Sequence, residues 1–120
     1  MKKKITIIGV GGQMGQWFAK YFLANDFEVT GYDSENKTLG KGIIQSDSLV
    51  GGILKADYVV LCTPTRRTPE IIRLIAKEMK RGTYLIEISS EKSKVVASLS
   101  KMPAKINPIK IENVIDLNQE

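Results

Sequence analysis

A run of β-branched residues that breaks into glycines and then enters a helical pattern constrains this chain more than any other feature. The sequence reads ITIIGVGGQMG over residues 5–15 and QWFAKYFL over residues 16–23. In a strand, glycine turn and helix arranged in this order, backbone N–H groups can approach a phosphate, and the helix N-terminus adds a partial positive charge. The start of the chain therefore predicts a β–α unit that can hold a pyrophosphate.

An acidic residue at a suitable distance extends that prediction. Asp33 follows Gly15 by 18 residues and ends a second apolar run over residues 27–32. Dinucleotide-binding folds place an acid there to hold the adenosine ribose hydroxyls, and a carboxylate repels a 2′-phosphate. NAD is therefore the predicted cofactor, although Lys37 or Arg66 could accommodate the 2′-phosphate of NADP. The residues predicted to bind it in these segments are Gly9, Val10, Gly11, Gly12, Gln13, Met14, Gly15 and Asp33.

The glycines do not follow the usual G-x-G-x-x-G spacing. Counted forward from Gly9, the third glycine would fall on Met14; counted back from Gly15, the first would fall on Val10. The loop is therefore a variant with an extra residue or a shifted first glycine. A glycine-rich turn with no ligand is the alternative interpretation.

Length and composition narrow the class of protein. The 120 residues are 42% hydrophobic, enough for one domain with its own core but short for a complete dehydrogenase. A single cysteine, Cys62, excludes an internal disulfide and favours a reducing, cytoplasmic setting. The apolar run after Lys4 is too short for a signal peptide, and we expect no membrane span.

Charge and metal-binding residues exclude two further classes. The net charge is +5, but the basic residues are scattered, without an arginine-rich helix or an aromatic platform. We therefore expect no nucleic-acid partner. No spacing of histidine, cysteine and carboxylate residues indicates a metal site.

Strand-like and helix-like segments alternate along the chain, which predicts a Rossmann-type, doubly wound parallel α/β sheet. Strands are predicted at 4–9, 28–32, 43–45, 58–62, 84–88 and 105–109, and helices at 13–25, 48–55, 69–80 and 93–101. Residues 1–109 would form one dinucleotide-binding domain, followed by a tail at 110–120. The expected inward residues include Trp17 on the first helix and Leu74 on the third. Arg66 and Arg67 could meet a cofactor phosphate or a substrate carboxylate, but a solvated loop pair is the favoured interpretation.

Three segments resemble the prephenate dehydrogenases. They are GVGGQMGQWFA at 9–19, ADYVVLCTP at 56–64 and EISSEK at 87–92, and the resemblance spans roughly residues 4–109. That family uses a nicotinamide cofactor to oxidise and decarboxylate prephenate to 4-hydroxyphenylpyruvate, on the way to tyrosine. The resemblance implies that Cys62, Thr63 and Pro64 lie beside the nicotinamide-side ribose. It also implies that Ser90 lies near the substrate hydroxyl and that Lys92 completes the same catalytic motif.

The sequence departs from the prephenate dehydrogenases in two ways that bear on catalysis. Its catalytic histidine lies in an H-P motif, where this chain has Asn107 and Pro108, and the chain contains no histidine. An amide takes up no proton near neutral pH, so it cannot act as that general base. The family's helical dimerisation domain is also absent from these residues. We therefore expect cofactor binding without efficient turnover, and a prephenate-like substrate only when a second domain or partner chain completes the site. The sequence is also compatible with a homodimer.

Two other interpretations remain open at this point. One is a stand-alone, non-catalytic dinucleotide-binding module, acting as a sensor or as a partner subunit. The other is a related reductase for hydroxy acids or imines, which would share the first motif but would not explain residues 87–92 so well.

Overall fold

A computed structural model describes residues 2–35, 39–87 and the backbone of 107–110. Helices and strands alternate along these residues. In chain order they are β1 (Lys4–Ile8), α1 (Gln13–Ala24), β2 (Glu28–Tyr32), β3 (Ile44–Gln45), α2 (Leu49–Ile53), β4 (Tyr58–Leu61), a 3₁₀ turn (Thr65–Arg67), α3 (Thr68–Ile75), β5 (Tyr84–Glu87) and β6 (Asn107–Lys110).

The strands form one sheet in the order β3-β2-β1-β4-β5-β6, and each neighbouring pair is parallel. From β1 the chain builds outward to β2 and β3, and then returns to place β4 on the other side of β1. The predicted doubly wound fold is therefore confirmed. The helix predicted over 93–101 lies outside the described residues.

Both faces of the sheet are buried, as expected when helices cross over each side of parallel strands. On one face, Phe18 and Phe22 of α1 pack with Ile5 and Ile7 of β1. On the other face, residues of α2 and α3 pack against Ile8, Val59 and Leu85. All four residues of β4 are buried, which explains the uninterrupted apolar run there.

Local signals explain how the helices on the second face begin and end. The Ser48 hydroxyl accepts a hydrogen bond from the Gly51 N–H at 3.0 Å and thereby caps α2. Helix α3 carries a proline in its first turn and is shorter than predicted. After Ile75 its end tightens, because the Glu78 N–H donates to the Ile75 carbonyl three residues back.

Two of the predicted inward residues face outward. The side chain of Trp17 is 54% exposed and stacks on Tyr21, while Leu74 is 56% exposed. The prediction that both are inward is wrong. An apolar residue at the border of a helix's inner face is buried only if a neighbouring element covers it.

No helix in the described part of the chain is long and apolar enough to cross a membrane. The same residues contain no group of three or more metal-ligating side chains.

Candidate functional site

A cleft of about 590 Å³ opens at the carboxyl ends of β1, β2 and β4. This volume falls within the range of roughly 300–1,000 Å³ that is usual for ligand pockets. The cleft lies where the strand order reverses around β1, which is where doubly wound sheets bind their ligands. Its lining residues are Ile8, Gly9, Gly12, Gln13, Met14, Tyr32, Asp33, Ser34, Glu35, Leu49, Cys62, Thr63, Pro64, Arg67, Glu70, Ile71 and Leu74.

Two glycines of the loop are required by the fold itself. Gly9 has a φ of 85°, and a Cβ there would lie 2.6 Å from the carbonyl oxygen of Cys62. A Cβ on Gly15 would overlap the Gly9 carbonyl oxygen and lie 2.7 Å from the Cα of Val10. Gly9 therefore makes the tight turn after β1, and Gly15 lets α1 pack closely against that turn. Gly9, Gly12 and Gly15 are spaced three residues apart, so the loop has one residue more between its first two glycines than the usual pattern.

Gly12 is different, because nothing within the described protein requires a glycine there. Its backbone is ordinary, with φ −78° and ψ 171°, and a Cβ would meet only the Gly9 carbonyl oxygen at 3.5 Å. Gly12 is the N-cap of α1, and no side chain of the described residues caps that helix. The first-turn N–H groups of α1 therefore lie at a cleft wall that a ligand can approach closely, as a pyrophosphate site needs.

The other loop amides are engaged within the protein. The N–H groups of Gly9 and Val10 donate to the Tyr32 carbonyl, and that of Gly12 donates to the Gly9 carbonyl. Val10 is fully buried, and its side chain fills the space beside Gly31. Of the seven residues predicted to hold the pyrophosphate, Val10, Gly11 and Gly15 do not line the cleft. These three residues stabilise the loop through contacts within the protein and do not border the cleft.

Asp33 follows β2, beside the glycine loop. Its Oδ2 accepts a hydrogen bond from the Gly11 N–H at 2.7 Å, and its Oδ1 accepts one from the Glu35 N–H at 3.0 Å. These bonds fix the carboxylate at the cleft wall. Each carboxylate oxygen has a further lone pair, so both can still accept from a ribose hydroxyl.

The end of β4 forms the facing wall, with Cys62, Thr63 and Pro64 in the lining. The Thr63 hydroxyl lies 2.9 Å from that of Thr68, which ties this turn to the start of α3. Burial raises the pKa of the Cys62 thiol to about 12. The thiol is therefore protonated at neutral pH and is not poised to act as a nucleophile.

Sequence reasoning missed part of the lining. Ile71 and Leu74 lie three residues apart on α3 and extend an apolar strip into the cleft, together with Leu49. Helical periodicity identified the apolar face of α3 but could not show that one edge of it borders a cleft. Arg67 also lines the cleft, and its Nη1 lies 3.5 Å from the Ser34 hydroxyl oxygen on the facing wall.

The sequence-based interpretations also name Asn107 and three residues that the structure does not describe. Ser90, Lys92 and Lys37 lie outside the described residues. In the sheet, Asn107 pairs with Tyr84, whereas Lys110 pairs with Glu87 at the carboxyl end. Strands rise about 3.3 Å per residue. The backbone of Asn107 therefore lies roughly 10 Å from the carboxyl edge. This register does not support the interpretation that Asn107 takes the place of the family's histidine beside the cofactor.

A family model described as the prephenate dehydrogenase nucleotide-binding domain matches residues 18–109. The chain belongs to the prephenate dehydrogenase family. It is the NAD-binding domain of that family, which confirms the resemblance and the predicted cofactor. The match begins after the glycine loop, so the loop's geometry supports the assignment independently.

Two curated relatives carry prephenate dehydrogenase in their names. A probable arogenate/prephenate dehydrogenase of Methanocaldococcus jannaschii is 32% identical over 93 residues, which is 73% of this chain and 21% of that protein. The prephenate dehydrogenase of Lactococcus lactis is 36% identical over 101 residues, or 78% of this chain and 28% of that protein. The chain therefore spans less than a third of either relative.

A solved structure shares the fold. Prephenate dehydrogenase from A. aeolicus, in complex with hydroxyphenyl propionate and NAD⁺, superposes with a TM-score of 0.74 at 23% identity. The similar region is 88% of this chain and 40% of that one.

Proposed function

We propose that this domain holds NAD in the cleft and presents it to a prephenate-like substrate, as part of an oxidative decarboxylation in tyrosine biosynthesis. The observation that carries the proposal is Gly12, a glycine that neither strain nor crowding within the described protein requires. It stands at the uncapped N-terminus of a 12-residue helix, where a pyrophosphate gains from the helix dipole. On this account Gly12, Gln13 and Met14 contact the pyrophosphate.

Asp33 supports NAD over NADP. Its carboxylate is held by two backbone N–H groups at the wall where β2 ends. A ribose with free hydroxyls can donate to this carboxylate, whereas a 2′-phosphate brings like charges together. Cys62, Thr63 and Pro64 would border the nicotinamide-side ribose at the end of β4.

We expect the 120-residue chain to bind the cofactor without efficient turnover. It contains no histidine, and Cys62 stays protonated near neutral pH. The described cleft walls therefore offer neither the family's histidine nor an ionised thiol as a general base near pH 7. Ser90 and Lys92 are proposed to act on the substrate side, with the remaining groups supplied by a second domain or by a partner chain.

The absence of histidine also favours a second candidate function. The same cleft would serve a non-catalytic module that binds NAD as a regulatory ligand in the cytoplasm. Both candidates require the cofactor site, and they differ in whether adding the catalytic partner yields turnover.

Calorimetric titration of the purified chain with NADH, followed by an assay of prephenate-dependent NAD⁺ reduction, tests the proposal. Saturable NADH binding with no reduction by the chain alone is expected. No saturation up to about millimolar NADH would contradict the cofactor site. Efficient reduction by the chain alone would contradict its dependence on further residues.

A further inference from the structure

Arg67 spans the cleft at the adenosine end. It closes the 3₁₀ turn after β4, where its N–H donates to the Pro64 carbonyl at 2.9 Å and it forms the N-cap of α3. Its guanidinium reaches the opposite wall, with Nη1 3.5 Å from the hydroxyl oxygen of Ser34. Ser34 directly follows Asp33, the residue proposed to hold the ribose. A positive charge from one wall therefore reaches the residue that directly follows Asp33 on the other wall.

The charges of the lining make this arginine distinctive. Among the described residues that line the cleft, the acids are Asp33, Glu35 and Glu70, and Arg67 is the only base. Its neighbour Arg66 is also exposed but does not line the cleft. The sequence indicated Lys37 or Arg66 as the residue that could meet a 2′-phosphate; of the two loop arginines, the geometry favours Arg67.

We propose that Arg67 determines how well the domain tolerates NADP. Its guanidinium can pair with a 2′-phosphate through two parallel N–H···O bonds, the geometry that makes arginine a strong phosphate ligand. NAD carries only a hydroxyl at this position and gains little from the same charge. Asp33 favours NAD, and Arg67 narrows that preference. This inference rests on the proposed NAD site.

The test compares NADH and NADPH affinities of the wild type, Arg67→Gln and Arg66→Gln by calorimetry. Glutamine keeps much of the side chain's length and removes the charge, and Arg66 is the matched control one residue away. We expect Arg67→Gln to weaken NADPH by at least about tenfold, as loss of a charge-assisted phosphate contact should. NADH should change by less than about threefold, and Arg66→Gln should leave the NADPH/NADH ratio unchanged.

Four results would overturn the inference. Equal weakening of both cofactors by Arg67→Gln would make Arg67 a general adenosine contact. Unchanged affinity for both cofactors in Arg67→Gln would remove its role in binding, and an equal effect of Arg66→Gln would reduce it to the net charge of the loop. Failure of the wild type to bind NADH would overturn the proposed function itself, and the Arg67 inference with it. Thermal unfolding of each variant verifies that the fold is intact.

Discussion

Replacing Gly12 by alanine should weaken cofactor binding while leaving the fold intact. The new Cβ would meet only the Gly9 carbonyl oxygen at 3.5 Å, an ordinary contact, and the backbone already has a φ of −78°. Alanine is a poorer N-cap than glycine by about 0.5–1 kcal/mol. The lower conformational entropy of the unfolded alanine chain offsets about 0.4–1 kcal/mol of that loss. The free energy of unfolding should therefore change by less than about 1 kcal/mol. The corresponding change in Tm should be smaller than about 4–8 °C.

Binding should respond much more strongly. The added methyl group projects from the backbone that the pyrophosphate must approach, so we expect NADH affinity to fall by at least about tenfold, or 1.4 kcal/mol. Calorimetry measures the affinity, and circular dichroism during heating measures Tm. The control is Gly15→Ala, whose Cβ would overlap the Gly9 carbonyl and lie 2.7 Å from the Cα of Val10. Overpacking of this kind costs about 1–3 kcal/mol and should lower Tm clearly.

The two variants together separate a ligand requirement from a folding requirement. Wild-type NADH affinity in a stable Gly12→Ala protein would refute the argument that a cofactor is the reason for this glycine. A large loss of Tm in Gly12→Ala would show that the loop itself needs the glycine.

Three further predictions concern side chains around the sheet. Asp33→Asn should weaken NADH by about tenfold, because the ribose loses a charged acceptor, and an unchanged affinity in calorimetry would contradict its role. Burial raises the pKa of Cys62 from 9.0 to about 12, so the folded thiol should react with a thiol reagent at pH 9 at least about tenfold more slowly than the same protein in urea. Above pH 9 the unfolded thiol ionises first, and this group lowers stability as the pH rises towards 12. Burial alone would raise the pKa of Asp57, but hydrogen bonds from Lys80 and the Lys4 N–H, together with their charges, lower it. The contribution of the Asp57 carboxylate to the free energy of unfolding is therefore fully present above the usual pKa of 3.8. It is lost as the pH falls through the lowered pKa. Asp57→Asn should cost about 1 kcal/mol at pH 7, and the Tm difference from wild type should shrink by pH 3; a constant difference would refute this account.

The candidate site could be predicted from sequence where its residues follow the ends of strands. Gly9, Asp33 and Cys62 each come directly after a strand whose apolar run is legible, and carboxyl ends of parallel strands meet at one edge. The roles of the individual glycines could not be predicted, because Gly12 and Gly15 differ only in which atoms surround them. Crowding by the Gly9 carbonyl is a property of the folded loop.

The outward position of Trp17 and Leu74 has a similar cause. Both have the spacing expected of the inner face of a helix, and that spacing sets direction to within about 100°. Whether a residue at the edge of this arc is buried depends on the neighbouring elements. On α3 the edge borders the cleft, so Leu74 is exposed there.

By itself, the sequence determined the alternation of strands and helices, the turn after β1 and the acid after β2, because side-chain periodicity and glycine chemistry act over a few residues. Tertiary structure alone decided which strands are neighbours, which glycines are crowded by neighbouring atoms, and that Arg67 reaches Ser34, 33 residues earlier in the chain. These are contacts between distant segments, and they exist only once the β2 and β4 ends are brought together on the two sides of β1.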